Sequence, residues 1–212
     1  MEVTRLIAVR HGETAWNADL RIQGHLDIPL NATGLWQARQ AAAALAQEQV
    51  SAIYASDLAR AWATAEAIAG PHGLEVSPQP GLRERAFGIF EGSTFADVEA
   101  RAPEQARRWR IRDPAFTPEG GESLIDFRHR ITGTVEQLAA RHIGGLVVLV
   151  AHGGVMDVLY RNATGQELQA PRTWALGNAA INRLLWTPQG LTLVGWGDTT
   201  HLSDTQRDEL SH

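Results

Sequence analysis

The sequence predicts an α/β protein, a three-layer α/β/α sandwich around a mostly parallel central sheet. Short apolar runs typical of strands alternate with amphipathic segments typical of helices, and no linker, repeat or low-complexity block interrupts them. Such alternation favours parallel strands with helices covering both faces of the sheet. Because 212 residues are enough to bury a substantial core, we expect a single domain over residues 1–212.

The N-terminal elements follow from apolar spacing and from turn residues. The apolar run Arg5–Arg10 predicts the first strand, and a helix is expected to begin near Thr33, where apolar residues start to recur every three or four positions. Ala52–Ala55 predicts a second, short strand. Ser56 is then expected to cap a helix that ends at Gly70 and Pro71.

The C-terminal half begins with a stretch that lacks periodicity. Residues 71–121 are rich in Pro and Gly, so we expect an irregular region there. Regular apolar spacing predicts a helix from Leu124 to Leu138, and Leu146–Ala151 predicts a strand buried on both faces. Ile181–Trp186 and Leu191–Trp196 predict a hairpin.

Composition excludes several classes of protein. The chain has no cysteine, and all 19 basic residues are arginine, which excludes thiol chemistry, P-loop lysines and lysine Schiff bases. A net charge of −5 disfavours a nucleic-acid partner. No membrane-length apolar run and no secretory signal are visible, so we expect a cytoplasmic protein without a membrane partner. A loose polar tail is expected at about 203–212.

Two segments share one plan, an apolar strand that runs into His-Gly. His11 follows the first predicted strand, and His152 follows the strand that ends at Ala151. The carboxyl ends of neighbouring parallel strands form the ligand crevice of such sheets. If these strands are neighbours, both imidazoles face the same crevice, and the glycines after them let the backbone approach a ligand closely.

The longer context of these segments resembles the histidine phosphatase superfamily, in its phosphoglycerate mutase-like branch. The matching segments occur in family order and span nearly the whole chain: Leu6–Asn17 (LIAVRHGETAWN), Arg21–Leu30 (RIQGHLDIPL), Tyr54–Ala61 (YASDLARA), Leu82–Gly88 (LRERAFG) and Ala151–Gly154 (AHGG). The resemblance implies the phosphoglycerate mutase-like form of the predicted fold, with residues 71–121 as its substrate cap.

The resemblance also implies a role for each of five residues. His11 would attack phosphorus and form a phosphohistidine. Arg10 and Arg60 would clamp the phosphoryl oxygens, and His152 would donate a hydrogen bond to the same group. Glu84 would protonate the leaving oxygen and then activate water.

Further positions are assigned to binding or to structure. The expected substrate-binding residues are Asn17, Gln23, Gly24 and Gly153. The other carboxylates near Glu84, Glu91 and Asp97, are interpreted as solvated surface residues. The remaining histidines are expected to be exposed or locally hydrogen-bonded: His25, His72, His129, His142, His201 and His212.

The resemblance is compatible with two reactions, hydrolysis by a phosphatase and phosphoryl transfer by a mutase. Only 68 positions separate Glu84 from His152, which is short for the family's mutases, and Pro118–Ser123 (PEGGES) is similar to an element of its phosphatases. We therefore expect a phosphatase acting on a small phosphomonoester, with a cofactor-dependent phosphoglycerate mutase as the alternative. The basic run Arg107–Arg112 is either a solvated helix face or part of a cap that contacts anionic substrates.

Two further hypotheses come from other classes. The chain is a non-catalytic binding module only if the five groups no longer act, yet all five are present. A metallohydrolase would use His11 and His152 as ligands, but Arg10 and Arg60 would repel the metal ion. We therefore expect no metal and no cofactor. A homo-oligomer is compatible with the sequence.

Overall fold

A computed structural model of the chain describes residues 3–203 and contains one six-stranded sheet in the order β3-β2-β4-β1-β5-β6. The strands are β1 (Thr4–Arg10), β2 (Ala52–Ala55), β3 (Val76–Pro78), β4 (Leu146–Ala151), β5 (Ile181–Thr187) and β6 (Gly190–Asp198). The first four are parallel to one another, whereas β5 and β6 form an antiparallel hairpin at the β1 edge.

The helices lie between the strands in chain order, as predicted. They are α1 (Ala15–Ala18), α2 (Ala32–Leu45), α3 (Ala59–Ala69), α4 (Phe95–Arg101), α5 (Pro103–Arg110), α6 (Leu124–Ala140) and α7 (Gly153–Thr164). The oxygen of the Asn31 side chain accepts the Gly34 N–H and caps α2, which starts one residue before the predicted position.

The sheet has a core on each face. Because successive residues of a strand point to opposite sides, Leu6 and Ala8 of β1 pack with residues of α6 and α7, while Ile7 and Val9 pack with residues of α2 and α3. All six residues of β4 are buried. These two cores confirm the predicted three-layer α/β/α sandwich.

The centre of the sheet determines which chain segments meet. β4 is hydrogen-bonded to β2 on one side and to β1 on the other, in parallel, with Arg10 opposite Ala151. The carboxyl ends of the three strands therefore lie side by side. His11, Ser56 and His152 are the first residues beyond these strands, at one edge of the sheet.

The prediction of an irregular region over residues 71–121 is wrong. It contains β3, the edge strand of the main sheet, and helices α4 and α5, which contribute to a third small core of Phe90, Val98, Ala106 and Phe116. Trp109 covers this core, with its ring 5.0 Å from that of Phe87. The cap is thus a folded unit around its own aromatic side chains.

Two local expectations also need correction or restriction. Ser56 does not cap α3, because Leu58 occupies the N-cap position and the Ser56 hydroxyl is used elsewhere. Except for Ser203, the predicted polar tail lies outside the described residues.

None of the helices within residues 3–203 has the length and apolarity required to cross a bilayer.

Candidate active site

His11 is buried directly after β1 and has one ring nitrogen free. Its Nδ1 lies 2.7 Å from the Gly12 carbonyl oxygen, which can only accept, so Nδ1 carries the proton and Nε2 keeps a lone pair. Burial lowers the pKa of His11 well below its usual value, and the charges of Arg10 and Arg60 lower it further. His11 is therefore neutral at pH 7.

His152 faces His11 from the neighbouring strand end. The two ring centroids are 5.2 Å apart, and His152 is fully buried. Its Nε2 lies 2.8 Å from the Ser56 hydroxyl oxygen, which also accepts the Leu58 N–H at 3.3 Å. The Nδ1 atom of His152 is buried and has no partner among the described residues.

Arg10 contacts the segment that joins α7 to β5, residues 165–180. Its guanidinium donates to the Leu176 carbonyl, and its Nε is buried without a partner in the described part of the chain. The same segment holds the strand end itself, because Asn178 donates to the His11 carbonyl at 3.0 Å and Ala179 donates to the Arg10 carbonyl at 3.0 Å. Burial lowers the pKa of Arg10, which Glu84 partly offsets.

Arg60 is in the first turn of α3 and is almost completely buried. It donates to the carbonyls of Gly24 and Leu26, both at 2.8 Å, while its Nε has no partner among residues 3–203. Burial lowers the pKa of Arg60, and Glu84 opposes that shift. Arg60 thus fixes the loop of residues 23–27 and retains N–H groups for an anion.

Glu84 is held by two backbone N–H groups. Its Oε1 accepts from Arg85 at 2.8 Å and its Oε2 from Gly154 at 2.9 Å. The negative charge of Glu84 raises the pKa of both Arg10 and Arg60 and so opposes the effect of their burial. The structure therefore brings the five predicted catalytic residues together at one end of the sheet.

The polar residues predicted to bind substrate border this cluster. The side-chain oxygen of Asn17 accepts the Thr14 N–H at 3.0 Å, and that of Gln23 accepts the Thr14 hydroxyl at 3.0 Å. Asn178 links Asn17 to the His11 backbone, at 3.3 Å from the Asn17 oxygen. The amide N–H₂ groups of Asn17 and Gln23 make no hydrogen bond to the described residues.

The two predicted glycines differ in how strongly they need to be glycine. Gly24 has φ +52°, and a Cβ there would lie 2.1 Å from the Glu91 Oε1, so the position requires glycine. At Gly153, the first residue of α7, a Cβ would lie 3.4 Å from the Arg10 Nε. Gly153 therefore lies against Arg10 without steric conflict.

Glu91 was wrongly interpreted as a solvated surface residue. Its Oε1 accepts the N–H groups of His25 and Phe87, both at 3.0 Å, and joins the substrate loop to the cap. Asp97 is exposed, as predicted, and its carboxylate caps α4 through Thr94. The difference is tertiary, because only Glu91 has distant backbone donors within reach.

The expectation for the other histidines is wrong at His25, His142 and His201. The half-buried ring of His142 has its Nε2 2.9 Å from the hydroxyl oxygen of Tyr54, 88 residues away. His25 Nε2 is 2.8 Å from the Glu84 carbonyl, so this half-buried ring braces the backbone of Glu84. His201 is buried and bonds to the carbonyl of Ala179, 22 residues away. Sequence reasoning also missed Ser56, although a polar residue directly after a buried strand is a recognisable signal.

The basic run of the cap is neutralised by acidic partners. Arg107, Arg108 and Arg110 pair with Glu104, Asp113 and Glu99 respectively. These three pairs favour the interpretation of a solvated helix face. Arg112 instead pairs with Asp157 of α7 at 2.7 Å and faces the site.

Within residues 3–203, no cluster of three or more His, Asp or Glu side chains is arranged to hold a metal ion. The strongest charges beside His11 and His152 are those of Arg10 and Arg60, which suit an anion.

Comparison with known proteins places this geometry in a family. A profile of the histidine phosphatase superfamily (branch 1) matches residues 6–199. The chain is 37% identical to phosphoglycerate mutase-like protein 4 of Arabidopsis thaliana, over 97% of this chain and 90% of that protein. It is 38% identical to a metal-independent phosphoserine phosphatase of the same plant, over 95% and 84% respectively.

A solved structure shows the same architecture. Mycobacterial glucosyl-3-phosphoglycerate phosphatase in complex with VO3 superposes with a TM-score of 0.81 at 35% identity, covering 92% of this chain and 99% of that one. The chain therefore belongs to the histidine phosphatase superfamily. The predicted class of reaction, hydrolysis of a phosphomonoester, is confirmed by these relatives.

A Gly154→Ala substitution is expected to impair this site without unfolding the protein. The new Cβ would lie 2.1 Å from the Glu84 Oε1 and would displace the carboxylate. Because correctly placed acid–base groups contribute about 10²–10⁴-fold, we expect kcat for a phosphomonoester to fall by about 100-fold or more. Steady-state phosphate release measures the effect.

Gly133→Ala in α6 is the matched control. A Cβ at Gly133 meets no atom within 4 Å, so this variant should keep its kcat and gain slightly in helix stability. Equal kcat values for the Gly154→Ala variant and the parent protein would show that the placement of Glu84 is irrelevant to turnover.

The buried histidines are expected to make the free energy of unfolding decrease as the pH is lowered. Burial lowers the pKa of both His11 and His152 below the usual 6.5, so the unfolded chain binds protons first as the pH drops. Their contribution is complete above pH 6.5 and is lost toward the lowered folded-state pKa. Each histidine should add about 1.4 kcal/mol per pH unit to the slope of the unfolding free energy.

Urea unfolding at several pH values between 7.5 and 5 measures this slope, with about three points below the usual imidazole pKa. The His152→Gln variant should show a slope shallower by about 1.4 kcal/mol per pH unit. If both proteins give the same slope, His152 is not held neutral in the folded state.

Proposed function

We propose that this protein hydrolyses a small phosphomonoester through a phosphohistidine on His11. The observation that carries the proposal is the His11 ring itself, whose Nδ1 is tied to the Gly12 carbonyl while Nε2 faces a cluster of two cations. A neutral imidazole with a fixed tautomer is a competent nucleophile, and the cations attract a phosphate dianion.

In the first half-reaction, Nε2 of His11 forms a bond to phosphorus as the bond from phosphorus to the ester oxygen breaks. Glu84 transfers a proton to that oxygen, so the alcohol leaves uncharged. The phosphorylated ring becomes cationic, and its Nδ1–H bond to the Gly12 carbonyl strengthens accordingly. Arg10, Arg60 and the Nδ1–H of His152 stabilise the charge on the transferring oxygens.

In the second half-reaction, water attacks the phosphohistidine. The Glu84 carboxylate accepts a proton from this water while the bond between nitrogen and phosphorus breaks. Inorganic phosphate leaves, His11 is again neutral, and Glu84 again carries the proton that the next substrate needs. Asn17 and Gln23 offer amide N–H groups to the phosphate, and the backbone at Gly24 and Gly153 lets it approach closely.

Hydrolysis is favoured over mutase-type transfer by the short cap. Three of its arginines are paired with acids of the cap itself, so they are not available to grip a second anion of a bisphosphorylated cofactor.

We also propose that the reaction needs no metal or cofactor, that residues 1–212 act as one domain, and that the enzyme works in the cytoplasm on a small soluble substrate.

Replacing His11 with Ala should abolish turnover while the fold remains intact. We expect no release of inorganic phosphate above background from a panel of phosphomonoesters, because the variant has no nucleophile. The parent protein should release phosphate at the same rate with or without EDTA. A rapid alkali quench with ³²P-labelled substrate should show an alkali-stable label on the parent protein only.

The same assay tests the alternatives. Substantial hydrolysis by the His11→Ala variant would overturn the nucleophile assignment, and a strict need for added metal would favour a metallohydrolase. With 3-phosphoglycerate as substrate, an isomerised phosphoglycerate without free phosphate would identify a mutase.

A further inference from the structure

Ala179 has a left-handed backbone conformation next to the backbone of His11. Its φ is +54°, in a region where a residue other than glycine is strained, and the residue is fully buried. Such a conformation persists only where the surrounding contacts hold it, and strained residues of this kind cluster at functional sites. What Ala179 contacts therefore bears on how the site works.

The N–H group of Ala179 holds the end of β1. It donates to the Arg10 carbonyl at 3.0 Å and also to the His11 carbonyl at 3.3 Å. The side chain of the preceding residue, Asn178, donates to the same His11 carbonyl at 3.0 Å and to the Asn17 side-chain oxygen at 3.3 Å. The turn at residues 178–179 thus fixes the backbone on which the nucleophile is carried.

The carbonyl group of Ala179 is held by His201. The His201 Nε2 lies 3.1 Å from this oxygen, which can only accept, so Nε2 carries the proton. Burial lowers the pKa of His201, so the ring is neutral at pH 7. Its Nδ1 is buried without a partner, so the bond to Ala179 is the one hydrogen bond that the ring makes within residues 3–203.

His201 reaches this turn from the far end of the chain. It lies in a short 3₁₀ helix, Thr200–Leu202, which follows β6. The residue before this helix is also close to the turn, because a Cβ at Gly177 would lie 3.6 Å from the methyl carbon of Thr199. The Ala179 peptide is therefore fixed on both sides, by β1 through its N–H group and by the end of the fold through its carbonyl.

We propose that His201 is a positioning residue of the phosphatase site. Through the Ala179 carbonyl it holds the left-handed turn, and the turn holds the backbone of Arg10 and His11 in line for attack on phosphorus. The inference rests on the proposed phosphatase reaction and adds to it a residue that acts from behind the nucleophile. Because an error of about 1 Å in placing a reacting group can lower a rate by about 100-fold, loss of the His201 bond should slow phosphoryl transfer more than it weakens substrate binding.

Two amide variants separate the Nε2–H group of His201 from the rest of the ring. The side-chain amide of glutamine reaches the position of Nε2, whereas that of asparagine, shorter by one methylene, reaches only the position of Nδ1. For His201→Gln, we expect kcat for the best phosphomonoester of the panel to stay within about twofold of the parent value. For His201→Asn, we expect kcat to fall by about tenfold or more, while KM stays within about threefold. Steady-state phosphate release measures both constants.

An Ala179→Gly background tests the route of this effect. Glycine adopts φ +54° without strain, so the turn should need less support from the imidazole. In this background, we expect His201→Asn to lower kcat by less than about threefold. An equally large loss in both backgrounds would show that His201 acts by another route, and would overturn the proposal.

His142→Ala is the matched control. This ring is also partly buried, and its Nε2 lies 2.9 Å from the Tyr54 hydroxyl oxygen, but it precedes β4 and so lies at the opposite end of the sheet from His11. We expect its kcat to equal that of the parent even if its melting temperature falls. All kcat values are compared at a temperature at which circular dichroism shows every variant folded.

The outcomes separate this proposal from the one on which it rests. Equal kcat values for His201→Asn and the parent would overturn the positioning role while hydrolysis persists. A loss in His201→Gln as large as that in His201→Asn would show that the Nε2–H group is not what matters, and would overturn it as well. If the parent protein releases no phosphate from any phosphomonoester, the proposed function itself is wrong.

Discussion

The parallel pairing of β1 with β4 is the constraint on which the site depends. It sets Arg10 opposite Ala151 and so brings the next residue of each strand, His11 and His152, to a ring separation of 5.2 Å. A shift of one residue in this register would turn one imidazole toward the other face of the sheet. The buried apolar residues of both strands resist such a shift, because every side chain would change sides. The geometry of the histidine pair is thus secured by hydrophobic packing within the sheet.

The side chains around this histidine pair are held in position by contacts within the protein. The segment 165–180 holds the backbone of His11, Ser56 orients His152, and two backbone N–H groups hold Glu84. None of these contacts requires a substrate. The cap completes the enclosure through Glu91, which joins the loop of residues 23–27 to Phe87, and through Arg112, which reaches α7.

Much of the fold could be predicted because its strands and long helices repeat an apolar pattern. Leu146–Ala151 was predicted with its observed bounds, and the helix from Leu124 was predicted from residues that are largely buried. The short strand β3 has only three residues, too few to show alternation. Helix α5 is largely polar and starts at Pro103, so it lacks the apolar repeat that marks a helix packed on a sheet.

His11 and His152 were predicted because each directly follows an apolar strand, whereas Arg60 and Glu84 were predicted only through the family resemblance. Other residues of the site were missed because only the tertiary structure determines their contacts. A serine that caps a helix and a serine that bonds across the sheet look the same in sequence, so Ser56 was misassigned. Glu91 and Asp97 are both acids near a cap helix, yet only Glu91 meets N–H groups from distant segments. His25, His142 and His201 were misjudged for the same reason, since their partners lie far along the chain.

The bonds from Arg60 to the carbonyls of Gly24 and Leu26 have a kinetic consequence. The Arg60 guanidinium holds the loop of residues 23–27 in place and also has N–H groups for a phosphate. Because the loop is already fixed, binding of the phosphate costs little conformational entropy. The dipoles are aligned beforehand, and little reorganisation energy remains for the transition state. The positive charges of Arg60 and Arg10 repel each other. A phosphate dianion that binds between them removes this repulsion, so the repulsion favours binding of the anion.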